Sequence, residues 1–171
     1  MDDGRTALEH MLDRLAKDQG VFILLGSGDA ELEAQCQDIA ANHENFLFLN
    51  RYAAAVADAL FEFGDLFFMP SSFEPCGISQ LISMRFGQPC LVHAVGGLRD
   101  TIVDNVDGFQ FTGESPQAQA LACIARFDDA ITMHTKDKTA WRAIQTAAKS
   151  RRFTWSASAE QYRELLYREA T

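Results

Sequence analysis

The chain has 171 residues, 47% of them hydrophobic and 23% charged. This is the composition of a globular domain large enough to bury a core without metal or disulfide cross-links. A formal net charge of −9 at pH 7 argues against a general nucleic-acid-binding or membrane-surface protein. No apolar run reaches the roughly 18 residues that a membrane helix needs, and the acidic N-terminus is unlike a signal peptide.

Five short apolar runs alternate with helical patterns along the first two thirds of the chain. The runs predict strands at residues 21–25, 46–49, 65–69, 89–93 and 108–111, and the patterns around them predict helices at 8–16, 31–41, 53–62, 78–86 and 98–104. The first four runs are almost continuously apolar, so we expect both of their faces to be covered. The alternation with short connections predicts an α/β fold, a parallel sheet with helices on both faces.

The remainder of the chain is helical in pattern, with helices predicted at residues 118–127, 138–149 and 156–168. No internal repeat, low-complexity segment or linker interrupts it, so residues 1–171 are predicted to form one domain. Within that domain, residues 1–7 are expected to be disordered or foreign to the natural protein, and residues 154–171 to form a C-terminal helix. The four cysteines form no C-x-x-C pair and predict reduced thiols, as in the cytoplasm.

Several predicted strands end in loops of unusual sequence, and the carboxyl ends of parallel strands meet at one edge of a sheet. The first strand ends in Gly26-Ser27-Gly28-Asp29, which suits a tight turn with Asp29 capping the next helix. It lacks the third glycine of a dinucleotide-binding fingerprint, so an ordinary turn remains an alternative. Tyr52 follows the second strand, where its ring can stack on a planar base or simply cover the edge of the core.

The third strand ends in the stretch FMPSSFEPCGISQ, which holds Glu74 between Phe73 and Pro75 on a turn stiffened by proline. A carboxylate there is suited to hydrogen-bond sugar hydroxyls and to oppose a developing positive charge. The structural alternative is that Glu74 caps the following helix or interacts with its dipole. Cys76 with His93 as its base would lack a third, orienting group, so we do not expect a nucleophilic cysteine, and His93 is expected to be structural.

The fourth strand leads into Val95-Gly96-Gly97-Leu98, where two glycines open a helix. Free N–H groups and the helix dipole make such a start an anion site, although a plain glycine turn is the alternative. Between Asp18 and Ala125 the only cationic side chains besides histidine are those of Arg51, Arg85 and Arg99. A phosphate bound in this region would therefore be met mainly by backbone N–H groups.

These loops, in this order, resemble the C-terminal domain of bacterial glycogen synthases and plant starch synthases. The similarity covers nearly the whole chain, from about Leu8 onward, and F-E-P-C-G followed by Gln80-Leu81 is its most specific element. That family consists of retaining glycosyltransferases with two facing Rossmann-like domains, the GT-B architecture. The resemblance implies the nucleotide-sugar-binding half of an enzyme that transfers glucose from ADP-glucose or UDP-glucose to an α-1,4-glucan, in the cytoplasm or in a plastid.

The resemblance also implies roles for the turn after the third strand. Glu74 matches the carboxylate that contacts the donor sugar and stabilises an oxocarbenium-like transition state, and is the implied catalytic residue. Cys76, Gly77 and Ile78 match positions whose backbone groups bind the sugar hydroxyls.

Further substrate-binding positions are implied at the other two loops. Gly96, Gly97 and Leu98 match a loop whose amides approach the phosphate and sugar of the donor. Tyr52 lies where the family stacks an aromatic ring on adenine. No cofactor and no metal site is predicted.

The chain departs from the family pattern at a few positions. Val95 replaces a threonine, Arg51 replaces a glycine, and Ile82 stands where a tyrosine is usual. The family's R-x-x-x-Q-K-G element, which supplies a phosphate-binding Arg and Lys, has no equivalent in MDDGRTALEH. The acceptor-binding N-terminal domain is absent, so the chain is expected to be a fragment without activity of its own, or a diverged protein.

Two other functions stay open on the sequence. One is a non-catalytic or degenerate nucleotide-sugar-binding module, and the other is a different GT-B enzyme such as a sugar-nucleotide epimerase. In each case the predicted small-molecule partner is a nucleotide sugar. The α-glucan acceptor would bind through the missing domain, and neither nucleic acid nor membrane is an expected partner.

Overall fold

The computed structural model describes residues 4–167, and strands and helices alternate in it as predicted. The strands are β1 (Phe22–Leu25), β2 (Phe46–Leu49), β3 (Phe67–Met69), β4 (Cys90–His93) and β5 (Gly108–Phe111). The helices are α1 (Ala7–Ala16), α2 (Ala30–Asn42), α3 (Ala54–Phe63), α4 (Ser79–Phe86), α5 (Gly96–Thr101), α6 (Pro116–Lys136), α7 (Lys138–Ser150) and α8 (Trp155–Leu166). This confirms the predicted α/β class.

The strands form two parallel ladders. β1 pairs with β2, and β3, β4 and β5 pair in that order, with Phe67 opposite Cys90 and Cys90 opposite Gly108. No strand pairing joins the two ladders within residues 4–167. They meet through side chains, because the rings of Phe22 on β1 and Phe68 on β3 lie 5.9 Å apart, edge to face. The expected single sheet is therefore divided between β1 and β3.

The core lies on both sides of the three-stranded ladder. On one side, Leu91 of β4 packs with Phe109 and with residues of α1, α6 and α7. On the other side, Cys90 and Val92 pack with residues of α4 and α5 and with the end of α7. Successive residues of a strand face opposite ways, so this division confirms that helices cover both faces. All four residues of β4 are buried, which makes it the central strand.

The other apolar runs are less covered than predicted. β1 has no fully buried residue, β2 has one (Phe46), and the three residues of β3 are half-buried. α2 and α3 also contain no fully buried residue, so these helices cover the β1–β2 ladder only partly. A continuously apolar run thus predicted the strands correctly but overstated their burial.

Helix boundaries differ from the prediction mainly at α5 and α6. α5 begins at Gly96, two residues earlier than expected, and ends at Thr101. α6 runs through to Lys136 because Ser115 caps it and Pro116 occupies its first turn, and Asp137 then separates it from α7 by capping the latter. Among the described residues, no helix is both long and apolar enough to cross a membrane.

The two chain ends differ in packing. Thr6 and Glu9 form a capping box at the start of α1, whose Met11, Leu12 and Leu15 are buried. The structure therefore differs from the expected disorder at Thr6 and Ala7, while residues 1–3 lie outside the described residues. α8 occupies most of the predicted C-terminal helix and has no buried residue. The last four residues of that prediction, 168–171, are likewise outside the described residues.

Candidate functional site

Glu74 lies on the turn between β3 and α4, half-buried. Its carboxylate forms no hydrogen bond or ion pair with any other residue in the described range 4–167. α4 is capped at Ile78 without any side-chain hydrogen bond, so Glu74 does not serve as its N-cap. The carboxylate therefore does not cap α4 through a hydrogen bond, and it has no hydrogen-bond partner among the described residues.

The three residues after Pro75 present backbone amides at the same turn. The N–H groups of Cys76, Gly77 and Ile78 have no acceptor in the part of the chain that the structure describes. Gly77 has φ +74°, in the left-handed region where glycine carries no steric penalty. The turn can therefore offer several donors beside one carboxylate, which is a suitable arrangement for binding hydroxyl groups.

The glycine loop at the start of α5 packs directly against this turn. The N–H of Gly97 donates to the Glu74 carbonyl at 3.0 Å. A Cβ at Gly96 would collide with that same carbonyl, and one at Gly97 would collide with the carbonyl of Cys76. The two loops therefore approach as closely as glycine alone permits, and the structure brings these predicted positions together.

The same contact limits the predicted anion site. The Gly97 amide is occupied by Glu74, and the Leu98 amide donates to the Val95 carbonyl at 3.0 Å. Of the three amides only that of Gly96 has no protein acceptor within residues 4–167. The expectation of several free N–H groups at this helix start is wrong, because the helix start is used to hold the Glu74 turn. The Leu98 side chain is fully buried in the core.

The loops after β1 and β2 are joined by a carboxylate that the sequence analysis did not single out. Asp29 caps α2 as predicted, accepting from the amides of Glu31 and Leu32. Glu33 accepts from the Gly28 amide at 2.7 Å and from Asn50 Nδ2 at 2.9 Å. The Gly28 amide, with that of Asn50, holds the pKa of Glu33 below its usual value. The sequence signal was an acidic residue one turn into a helix that follows Gly-x-Gly.

Tyr52 is not held by the rest of the site. It is 89% exposed, and no hydrogen bond or ring contact involves its side chain among the residues that the structure describes. Its position after β2, at the carboxyl edge, is the one predicted. A role as core edge does not fit this exposure, so its stacking role stays a prediction.

His93 and Cys76 do not form a catalytic pair. His93 is buried at the end of β4, its ring stacks on Phe111 with centroids 5.0 Å apart, and its Nδ1 donates to the Ser71 carbonyl at 3.1 Å. Cys76 is exposed on the turn. His93 therefore has the expected structural role, since it links β4 and β5 to the beginning of the loop that carries Glu74.

Comparison with known proteins places this chain in a family. The model of the glycosyl transferases group 1 family matches residues 6–146. The chain is 39% identical over 156 residues to a glycogen synthase of Vibrio vulnificus. This match covers 87% of the present chain and 31% of the relative. It is 35% identical over 162 residues to the glycogen synthase of Aliivibrio salmonicida, covering 91% of this chain and 33% of the relative. The chain thus spans about a third of the length of these relatives.

Solved structures agree. The catalytic domain of starch synthase IV from Arabidopsis thaliana, bound to ADP and acarbose, matches 94% of this chain and 34% of its own, with TM-score 0.73 and 29% identity. Anabaena HepE, in complex with UDP-glucose, matches 93% of this chain and 44% of its own, with TM-score 0.67 and 23% identity, and supports the fold alone. The predicted resemblance to glycogen and starch synthases is confirmed. The chain belongs to the glycosyl transferases group 1 family, with the fold of GT-B glycosyltransferases.

Proposed function

We propose that this chain is the nucleotide-sugar-binding part of a glycogen or starch synthase-like retaining glucosyltransferase. The reaction moves glucose from ADP-glucose or UDP-glucose to an α-1,4-glucan. The observation that carries the proposal is the turn after β3, where the Glu74 carboxylate and the amides of Cys76, Gly77 and Ile78 lack protein partners within residues 4–167. The relatives that are glycogen synthases, and a starch synthase solved with ADP and acarbose, support it.

In this proposal Glu74 is the catalytic residue. Its carboxylate faces the donor sugar and stabilises the positive charge that develops on the ring when the bond to the diphosphate breaks. The amides of Cys76, Gly77 and Ile78 hydrogen-bond the sugar hydroxyls and hold the ring against that carboxylate. The stiff Pro70–Pro75 turn and the packed glycine loop fix this geometry before the substrate binds, so less free energy is lost in ordering it.

Of the remaining predicted positions, Gly96 and Tyr52 serve the nucleotide. The Gly96 amide, at the start of the α5 turn that also contains Gly97 and Leu98, is the donor available to the phosphate. Tyr52 stacks on the base. The glucan acceptor is proposed to bind elsewhere in a longer protein, since this chain spans about a third of its relatives. The compartment stays a prediction: the cytoplasm from the cysteine pattern, or a plastid if the chain is from a plant.

A titration calorimetry experiment tests the donor site. We expect the chain to bind ADP-glucose or UDP-glucose saturably and more tightly than ADP or UDP, because the Glu74 turn contributes contacts to the sugar. Affinity should be weak, since the net charge is −9 and few cations lie near the site. Absence of saturable binding at millimolar concentrations of all four nucleotides would reject the proposal.

A degenerate binding module is the second candidate, and one observation favours it. The Gly28 amide, on the loop after β1, donates to the Glu33 carboxylate at 2.7 Å. This loop therefore presents a negative charge where a diphosphate would need a hydrogen-bond donor. Such a module would bind the nucleotide sugar in the same titration, but the complete protein would show no glucose transfer.

A further inference from the structure

Gln80 is a fully buried polar residue in the first turn of α4, below the Glu74 turn. Its side-chain Nε2 donates to the Cys76 carbonyl at 3.1 Å and to Thr101 Oγ1 at 3.3 Å. Thr101 is the last residue of α5, and its hydroxyl donates to the Gly97 carbonyl at 2.6 Å. One buried amide thus contacts the turn after β3 and the helix that follows β4.

The chemistry of these partners determines which way the amide group of Gln80 faces. A backbone carbonyl can only accept, and the Thr101 hydroxyl uses its one proton on Gly97, so toward Gln80 it also accepts. Both neighbours therefore require the nitrogen. The oxygen, Oε1, is left buried without a hydrogen-bond partner among the described residues.

An unpaired buried acceptor is unfavourable, and most buried polar atoms in proteins avoid it. The amide also requires space that only glycine leaves, because a Cβ on Gly77 would lie 2.5 Å from Gln80 Oε1. An apolar side chain of the same length would fill this place without an orphan acceptor. The glutamine is therefore better explained by what its nitrogen positions than by its contribution to stability.

The contacts close a ring of interactions around the site. Glu74 accepts from the Gly97 amide, Gly97 accepts from Thr101, Thr101 accepts from Gln80, and Gln80 donates to Cys76, two residues after Glu74. We propose that Gln80 and Thr101 form a positioning bridge, the Gln80–Thr101 bridge, that sets the orientation of the donor-sugar amides. This inference rests on the proposed function.

Peptide geometry explains how the bridge acts. The carbonyl of Cys76 and the N–H of Gly77 belong to one planar trans peptide group, so they point in opposite directions. Gln80 draws the carbonyl toward the buried side, and the Gly77 N–H consequently points away from the core, toward the open side of the turn. Without the bridge this peptide group is free to rotate, and the amide is no longer directed at the sugar.

Two pairs of variants test the bridge in the chain. Gln80→Met and Thr101→Val remove the two hydrogen-bonding groups with little change in volume. Thr101→Ser keeps the hydroxyl and should therefore keep the sugar binding that Thr101→Val loses. Ser83→Ala is the matched control, because Ser83 is a buried residue of the same helix whose hydroxyl bonds Gln88, away from both loops.

The first readout is the ratio of affinities for ADP-glucose and ADP, and for UDP-glucose and UDP. The ratio that matters is the one for the nucleotide sugar that the wild type binds more tightly. We expect Gln80→Met and Thr101→Val to reduce this ratio about tenfold, which is the effect of losing a well-directed hydrogen bond. The affinity for ADP or UDP should stay unchanged. Thr101→Ser and Ser83→Ala should keep the wild-type ratio. The second readout is the hydrogen-exchange rate of the Gly97 amide. This rate should rise in Gln80→Met and Thr101→Val but not in Thr101→Ser or Ser83→Ala.

The outcomes separate this inference from the proposed function. If the wild type prefers the nucleotide sugar and both bridge variants keep that preference and a protected Gly97 amide, the bridge is overturned and the function stands. If the wild type binds none of the four nucleotides, the function fails and the bridge's role in sugar binding fails with it. If Gln80→Met does not fold, the affinity ratios of Thr101→Val and Thr101→Ser are compared instead, and a lower ratio in Thr101→Val alone supports the bridge. A ratio lowered equally by Ser83→Ala would show a general packing effect and reject the bridge.

Discussion

At the residue scale, Glu74 is the position where the proposed chemistry can be tested most directly. Replacing it by Gln keeps the size of the side chain and removes the charge. In the complete protein we expect kcat to fall at least about a hundredfold, because the lost interaction acts on transition-state charge, while nucleotide affinity stays near wild type.

Melting temperature is the accompanying measurement for Glu74→Gln. The carboxylate makes no hydrogen bond within the described residues 4–167, so we expect stability to be unchanged. A variant that is less stable yet fully active would contradict the catalytic role of Glu74.

Tyr52 provides a second test at this scale. Because it is 89% exposed and contacts no other ring in the described structure, Tyr52→Ala should leave the melting temperature unchanged. If the ring stacks on the base, the same variant should weaken ADP or UDP binding by about 1–2 kcal/mol. Tyr52→Phe, which keeps the ring, should bind as the wild type does. Equal affinities for all three proteins would remove Tyr52 from the site.

At the element scale, the approach of α5 to the Glu74 turn depends on Gly97. A methyl group there would collide with the Cys76 carbonyl, and this backbone atom cannot move aside as a flexible side chain would. We expect Gly97→Ala to lower the free energy of unfolding by about 1–3 kcal/mol in urea denaturation.

Gly28→Ala is the control for Gly97→Ala. A Cβ at Gly28 meets no atom within 4 Å, so stability should stay the same or rise by about 0.4–1 kcal/mol through the unfolded state. Equal destabilisation by both substitutions would mean that the close approach of the two loops does not occur in solution.

The helix caps at the two ends of the chain allow a further comparison between elements. Thr6 caps α1, which is built into the core through Met11, Leu12 and Leu15. Thr154 caps α8 by accepting a hydrogen bond from the Ala157 amide, without a capping box, and α8 has no buried residue. Thr6→Ala should cost about 1 kcal/mol, which is about 2–4 °C in melting temperature for a chain of this size.

Thr154→Ala should leave the melting temperature almost unchanged, because α8 contributes little buried surface to the cooperative unit. Scanning calorimetry of both variants checks the comparison. A larger effect at Thr154 than at Thr6 would show that α8 is packed in solution against something that the described structure does not contain.

At the scale of the whole molecule, the chain spans about a third of its relatives, and we propose that it holds one side of a transferase site. We expect it to transfer no glucose from ADP-glucose or UDP-glucose to glycogen by itself, because acceptor binding is assigned to residues outside it. Incorporation of labelled glucose measures this directly. Elongation clearly above a protein-free blank would reject that assignment.

The fold class followed from the sequence because its signals are local. Short continuous apolar runs such as 89–93 predict strands, and the helical patterns between them predict parallel crossovers. The division of the sheet between β1 and β3, and the incomplete burial of β1–β3, did not follow, because an apolar run reports what a strand can bury and not what covers it. The length of α6 was underestimated, although Ser115-Pro116 and Asp137 mark its two ends.

The features of the candidate site also fall into two groups, those that the sequence predicted and those that only the structure showed. The sequence by itself determined the carboxylate on a proline-stiffened turn, the adjacent glycine-opened helix and the family, since these depend on residue types at short spacings. Only the tertiary structure decided that the Gly97 amide serves Glu74 and not an anion, that Glu33 occupies the Gly28 amide, and that Gln80 joins Cys76 to Thr101. Such pairings depend on the distance between groups on different strands and helices, and that distance exists only once the sheet and its helices have packed.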